Sequence, residues 1–527
     1  MLPTHIGASN FPGDSNGDLH YDIEVTRIAG FILCYSFASR VIPLLPKDKS
    51  RTAVASDGGK VAKTLKRQQF GFEALLCAWS DEEEGLLFYT GSSLVQLSHK
   101  VSRKELEQCV QSSWLRLRHL SPSIGLDIVY SSAHRNWLLE YSVPHSRAEM
   151  DAWAAKTIIF HDTEMPLLAP HVVIDGRGCL NLFSQLLKFL NEALEDPKAA
   201  SDISTKLEWG SETDRLYPAG VILTGQFNEA WADSMKEAAA SPTPSGTIPF
   251  LPPAVENPTA TRGVVARVVQ LDVQQTNALR KLCKSRGRTI TQMIDPILVV
   301  ADNEAILTTA KAHGEQHFNT VVNAYERATH WILDIAVKDE RPNYVEHSRN
   351  GVTFAVDICP LMLDMAKIRE ALGFDRTSVS FRRDADKFWN SVVEDYTRTR
   401  GQENFEVDGY IGREVERQES VHSNSGKLLR DRAFLASSIG DFDRLGLLSE
   451  FTPTAADSAG KKIKVLDVLN RVRPSRPVMF CAYWTFNGKI TFYLHASAKY
   501  QTETEMDVMA GAFKKWLDTL MAVTPKL

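Results

Sequence analysis

A proline-rich stretch near the middle limits what this 527-residue chain can form. Ala238 to Gly263 holds six prolines among serine, threonine and glycine. Proline fixes φ and lacks the backbone N–H, so no regular helix or inner strand runs through such a segment. It predicts a linker or long crossover between two comparable halves. The division is then a flexible N-terminal tail over 1–20, an N-terminal domain over 21–240, a crossover over 241–262 and a C-terminal domain over 263–527.

Both halves mix helix and strand patterns. Ser102 and Glu105 form a capping-box pair ahead of a helix reaching His119, with Leu106, Val110, Trp114 and Leu117 at helical spacing. Lys47–Lys66 is polar and reads as a loop. Asp127–Val143 has strand character with a turn near Ser131–Arg135. A helix over Cys179–Leu194 puts Phe183, Leu186, Leu187, Leu190 and Leu194 on one face. The second half opens with a strand, Val264–Leu271. A helix from Asp272 stops before Gly287, and another starts near Thr291 with Pro296 close to its first turn. Val478, Phe480, Ala482, Trp484 and Phe486 alternate up to Asn487-Gly488, the preferred pair for a type I′ turn. Ile490, Phe492, Leu494 and Ala496 alternate beyond it, which predicts a hairpin with one buried face. Thr502 and Glu505 cap a last helix with the stripe Met506, Met509, Phe513, Leu517 and Leu520. The fold class is α/β or α+β in two domains, and the cleft between them is the favoured place for a site.

Composition narrows the function. Hydrophobic residues make up 43% and charged ones 24%, and the formal net charge is -5. No broad positive surface favours nucleic acid. The polar segment Met1–Asp22 lacks the apolar core of a signal peptide, and no apolar run is long enough to span a bilayer. The seven cysteines, at 34, 77, 109, 179, 283, 359 and 481, contain no CxxC pair. An odd, scattered set fits a reducing compartment, so a cytoplasmic protein without membrane contact is expected.

Chemistry concentrates in Pro166–Gly178, PLLAPHVVIDGRG. An apolar stretch ends at His171, and an amphipathic helix follows the glycines. His171 therefore sits at a strand end or just past it. Imidazole titrates near neutrality and can take a proton from an alcohol or amine. Asp175, an acceptor when ionised, can bind backbone N–H groups or an arginine and hold the loop. Gly176 and Gly178 are expected to supply backbone angles that other residues resist. An HxxxD spacing by itself also fits a structural histidine. No HExxH motif is present, and His161, ten residues upstream, reads as structural, so no metal is expected.

HVVIDGRG, residues 171–178, resembles the HxxxDG motif of the CoA-dependent acyltransferases related to nonribosomal-peptide condensation domains and the BAHD transferases. The capped helix from Ser102, the segment Trp209–Pro218 and Leu271–Ala301, where a helix precedes the Gly287–Thr291 run (GRTIT), resemble, in order, segments of that superfamily. Ser437-Ser438-Ile439-Gly440 resembles its strand crossing between the halves. Within the superfamily the pattern looks most like the fungal trichothecene O-acetyltransferases of the 15-O type. The resemblance implies a pseudo-dimer of two chloramphenicol-acetyltransferase-like domains around a tunnel. It implies acetyl transfer from acetyl-CoA, a co-substrate and not a bound cofactor, to a hydroxyl of a small hydrophobic terpenoid alcohol, by a monomer. His171 matches the catalytic base, and Asp175 and Gly176 match the motif's structural Asp and Gly. Ser437, Ser438 and Asp441 would belong to the tunnel wall. Gly440–Gly446 is a poor match to the BAHD DFGWG motif, and for Asp441 a strand-end turn is the simpler role. Pro170 stands where condensation domains often carry another histidine, which favours a transferase over a carrier-dependent N-acyl or condensation enzyme. A non-catalytic homologue is the third reading. Two basic clusters, Arg280, Lys281, Lys284, Arg286 and Arg288, and Arg471, Arg473 and Arg476, are candidates for CoA phosphates or for an ordinary solvated face.

Overall fold

Two sheets of different length organise the chain, because strand and helix patterns alternate on both sides of the proline-rich stretch. The computed structural model describes residues 31–34, 64–82, 87–160, 165–169, 171–228, 245–257, 263–346, 349, 351, 353–402, 407–422, 433–452 and 460–522. The expected N-terminal tail, most of the 47–66 loop, His161, Pro170 and parts of the crossover lie outside these residues. The last residues of that expected loop, Thr64 to Lys66, begin a strand that runs to Gln68 and pairs with Leu138–Ser142. The charged side chains hid it: Lys66 pairs with Glu140 at 2.7 Å while Leu65 is buried.

The first sheet runs, in lateral order, Ile463–Val472, Tyr89–Leu97, Met165–Ala169, Phe31–Cys34 and Ile158–Phe160. The second runs Val356–Asp364, His330–Asp339, Ala433–Asp441, Val478–Phe486, Lys489–Ser497 and Val264–Leu271. One strand therefore changes sides. Ile463–Val472, late in the sequence, pairs antiparallel with Tyr89–Leu97 of the first sheet. Ser437–Gly440, expected to cross between the halves, instead stays inside the second sheet, parallel to both its neighbours. Pairing partners depend on long-range register, which the local pattern of a strand does not encode.

The local readings for helices hold. Ser102 caps Arg103–Leu120 through its side chain on the Glu105 N–H, and Leu106, Val110, Trp114 and Leu117 are buried. Asp272 and Gln275 form a reciprocal capping box at the head of Val273–Ser285. Thr502 and Glu505 do the same for Glu503–Ala522, whose five-residue stripe is buried. Ile290–Ala310 carries Pro296 inside the helix, well past its first residue.

The late hairpin turns through Asn487 and Gly488, both at positive φ (51° and 72°), as a type I′ turn requires. It has two buried faces, not one. Phe480, Ala482, Trp484 and Phe486 join the core of the first half, whereas Met479, Cys481 and Tyr483 join the core of the second. An inner strand between two packed layers is covered on both sides, so alternation of residue type did not mark a wet face. His495 ties this hairpin to the crossing strand. Its Nε2 lies 2.9 Å from the Val472 carbonyl, to which the single N–H of the neutral ring donates.

Five cysteines, 77, 109, 179, 283 and 481, are free and buried, as small hydrophobes. No helix among the described residues is long and apolar enough to cross a membrane.

Candidate active site

The strand Met165–Ala169 ends two residues before His171, and the helix Gly176–Glu195 begins five residues after it. Between them the chain makes a tight turn, closed by the Ile174 N–H on the His171 carbonyl at 3.3 Å. Val172, Val173 and Ile174 are buried and fix the turn in the core. The imidazole is half-buried. Its Nδ1 lies 3.0 Å from the Ile174 carbonyl. A carbonyl only accepts, so Nδ1 carries the proton and Nε2 keeps its lone pair. Tyr89 lies against the ring with centroids 5.4 Å apart, and Phe354 meets it edge-on at 5.6 Å. Burial lowers the pKa of His171 below the ordinary imidazole value, against the opposing pull of Asp175. The ring is thus held neutral, in one tautomer, between two aromatic side chains.

Asp175 does not touch His171 through a hydrogen bond among the described contacts. It is the N-cap of the following helix, and its Oδ1 accepts the Gly178 N–H at 2.7 Å. Arg341 reaches the same oxygen at 2.9 Å, and the Ala355 N–H reaches Oδ2 at 2.8 Å. Burial would raise this carboxyl, but Arg341 and the two backbone donors hold it below the usual carboxylate range. Arg341 also pairs with Asp339 at 3.0 Å and donates to the Thr353 carbonyl. Arg177 binds Asp339 at 2.6 Å. Two ion pairs therefore fasten the start of the motif helix to the end of His330–Asp339.

The glycines have a different role from the one their type implied. Neither Gly176 nor Gly178 has positive φ. Their need is space. A Cβ on Gly176 would stand 3.1 Å from the Ile439 side chain, and one on Gly178 would stand 3.1 Å from the Thr353 carbonyl oxygen and 3.3 Å from the Arg341 guanidinium. Close packing, not an unusual backbone angle, disfavours a side chain at both, more so at Gly178, where the nearest atom is backbone.

A cavity of about 460 Å³ opens in front of His171. Its walls come from both sheets. Phe72, Leu76, Phe354, Ile358 and Phe480 make much of it apolar. Ser437, Ser438 and Asp441 line it, from the Ala433–Asp441 strand. That strand bulges between Ser438 and Gly440, and Gly440 takes φ +114°, which suits glycine. The bulge sets Ile439 against Gly176. Asp441 closes the strand, caps a short turn through the Arg444 N–H, and binds Arg280 at 2.6 Å. Its role is to end the strand and hold the neighbouring helix. Arg280 is thereby engaged, Arg288 pairs with Glu394, and Arg286 lies over the Trp389 ring. Arg471, from the other basic cluster, lines the cavity.

Arg341, Tyr89, Phe354 and Asn470 were not found from sequence. Asn470 also lines the cavity; its Oδ1 accepts the Tyr89 hydroxyl, and its Nδ2 is buried without a partner among the described residues. Nothing local marks any of the four, since each reaches the site through tertiary pairing. Among the described residues no group of His, Cys, Asp and Glu is arranged to hold a metal ion.

No family model and no curated protein matches the sequence. Solved structures do match in shape. TRI3 trichothecene 15-O-acetyltransferase from Fusarium sporotrichioides is 14% identical over 90% of this chain and 99% of that chain, with a TM-score of 0.65. The first condensation domain of the calcium-dependent antibiotic synthetase, in complex with a substrate analogue, is 12% identical over 87% and 96% of the two chains, with a TM-score of 0.47. The starter condensation domain of rhizomide synthetase RzmA, in complex with C8-CoA, is 9% identical over 87% and 95%, also at 0.47. The first of these likenesses is one of fold: the chain shares the overall architecture of that acetyltransferase, and its own His171 turn and cavity lie between its two sheets.

Proposed function

We propose that the protein is an acyl-CoA-dependent O-acyltransferase, with acetyl-CoA as donor and a hydroxyl of a small terpenoid alcohol, of the trichothecene kind, as acceptor. The observation that carries this reading is the state of His171. Its Nδ1–H is spent on the Ile174 carbonyl, and the free lone pair of Nε2 belongs to a ring that lines the cavity. That is the condition a general base must meet.

In the reaction His171 takes the proton of the acceptor hydroxyl as its oxygen attacks the thioester carbonyl. The tetrahedral oxyanion needs hydrogen-bond donors. The hydroxyls of Ser437 and Ser438 and the Asn470 amide stand on the cavity wall and can serve. Collapse breaks the C–S bond, and the proton held on His171 goes to the leaving thiolate. No covalent enzyme intermediate forms. Asp175 keeps the turn in place and takes no part in proton transfer. The largely apolar wall suits a neutral, hydrophobic acceptor.

The test is direct. The protein is incubated with acetyl-CoA and a panel of sesquiterpenoid alcohols, and thiol release and the acetylated product are followed. Acetylation of a trichothecene alcohol supports the full reading. Thiol release with none of the panel rejects this acceptor class.

A further inference from the structure

Arg471 is a half-buried cation with no counter-ion among the described residues. It lies on the crossing strand Ile463–Val472 and lines the cavity in front of His171. Its register partner is Thr90, next to Tyr89, whose ring rests on His171. No hydrogen bond or ion pair joins its guanidinium to another described residue. Two other arginines of the lining are neutralised: Arg341 by Asp175 and Asp339, and Arg177 by Asp339.

Taking a guanidinium partly out of water is costly unless an anion pairs with it. Its planar fork of donors matches phosphate oxygens, two at a time. We propose that Arg471 receives a phosphate of the coenzyme A donor, and so sets the side of the cavity from which the donor reaches His171. The inference rests on the acyl-CoA reading above. The acceptor of that reading is neutral, so the anion in the cavity comes from the donor. Arg473 and Arg476 follow Arg471 along the chain, so positive charge continues past the strand's end. The unpartnered Asn470 amide beside it adds a neutral donor to the same wall.

Binding separates this inference from the reading on which it rests. CoA, dephospho-CoA and pantetheine are titrated calorimetrically into the wild type, Arg471→Gln and Arg471→Lys. The expected result is CoA binding by the wild type, weakened about 10-fold or more in Arg471→Gln, as for loss of a charged hydrogen bond. Pantetheine, which has no phosphate, is bound equally by both. Arg471→Lys keeps a point charge and recovers part of the affinity, which a misfolded chain would not do. A loss shared by CoA and dephospho-CoA assigns Arg471 to the pyrophosphate, and a loss confined to CoA assigns it to the 3′-phosphate. Wild-type affinity for CoA in Arg471→Gln overturns the inference alone. Absence of CoA binding by the wild type overturns the acyl-CoA reading and this inference with it.

Discussion

The carboxylate of Asp175 and the guanidinium of Arg341 meet at 2.9 Å, 166 residues apart in sequence, and both are almost fully buried. The pair joins the head of the motif helix to the second sheet directly behind the His171 turn. Removing Asp175 leaves the buried Arg341 to Asp339 and takes the acceptor from the Gly178 and Ala355 N–H groups. Asp175→Ala is therefore expected to destabilise the protein by about 3–5 kcal/mol, while Asp175→Asn, which keeps the shape, costs less. Urea unfolding midpoints measure both. A midpoint for Asp175→Ala equal to wild type would show that the pair does not hold the site.

His171→Ala removes the proposed base and its hydrogen bond to the Ile174 carbonyl. Turnover should fall by roughly 10²–10⁴-fold, the usual contribution of a general base, with the melting curve little changed. Comparable turnover in a folded variant would remove His171 from the chemistry.

The acid limb of the rate profile carries its own signature. The base works only when deprotonated, and burial lowers the pKa of His171 from 6.5. kcat/KM should therefore fall with decreasing pH only at values below 6.5. A limb centred above 6.5 would contradict the enclosed, neutral ring.

His495 predicts a separate dependence of stability on pH. Burial, first, and the charge of Arg471 push its pKa down to about 4 from 6.5. The unfolded chain binds this proton first as pH falls. Stability contributed by the neutral ring is complete above 6.5 and drains away as pH drops towards 4, by about 3 kcal/mol in all. His495→Gln should flatten the denaturation midpoint over that window. An unchanged slope would place the acid sensitivity elsewhere.

The two motif glycines should differ in tolerance. Alanine at Gly178 meets a backbone carbonyl and Arg341, neither free to move, and an overpacking cost of about 1–3 kcal/mol is expected. Alanine at Gly176 meets only side-chain carbons of Ile439, the Cγ2 methyl nearest, and these can give by a few tenths of an ångström more readily than backbone. Gly178→Ala should lower the unfolding midpoint more than Gly176→Ala, and the reverse order would refute the packing argument.

Much of the fold was legible because much of it is local. Caps at Ser102, Asp272 and Thr502 act on N–H groups three residues away, and the Asn487-Gly488 turn is set by two residues. His171 and its turn were readable for the same reason, being bounded by an apolar strand on one side and an amphipathic helix on the other. Errors appeared where a residue's partner lies far along the chain. Thr64–Lys66 read as loop because its charged side chains find partners on another strand. The hairpin read as half wet because nothing near it shows the second core behind it.

The sequence by itself determined most of the elements, the two-sided layout and the place of His171 at a strand-to-helix turn, since these rest on periodicity, capping and turn chemistry within a few residues. Only the tertiary structure decided that Arg341 neutralises Asp175, that Ile463–Val472 is the strand that changes sheets, that Gly176 and Gly178 are needed for space, and that Arg471 lines the cavity with no partner among the described residues. Each of these depends on which distant surfaces are pressed together, and burial, charge pairing and close packing take effect only once that contact exists.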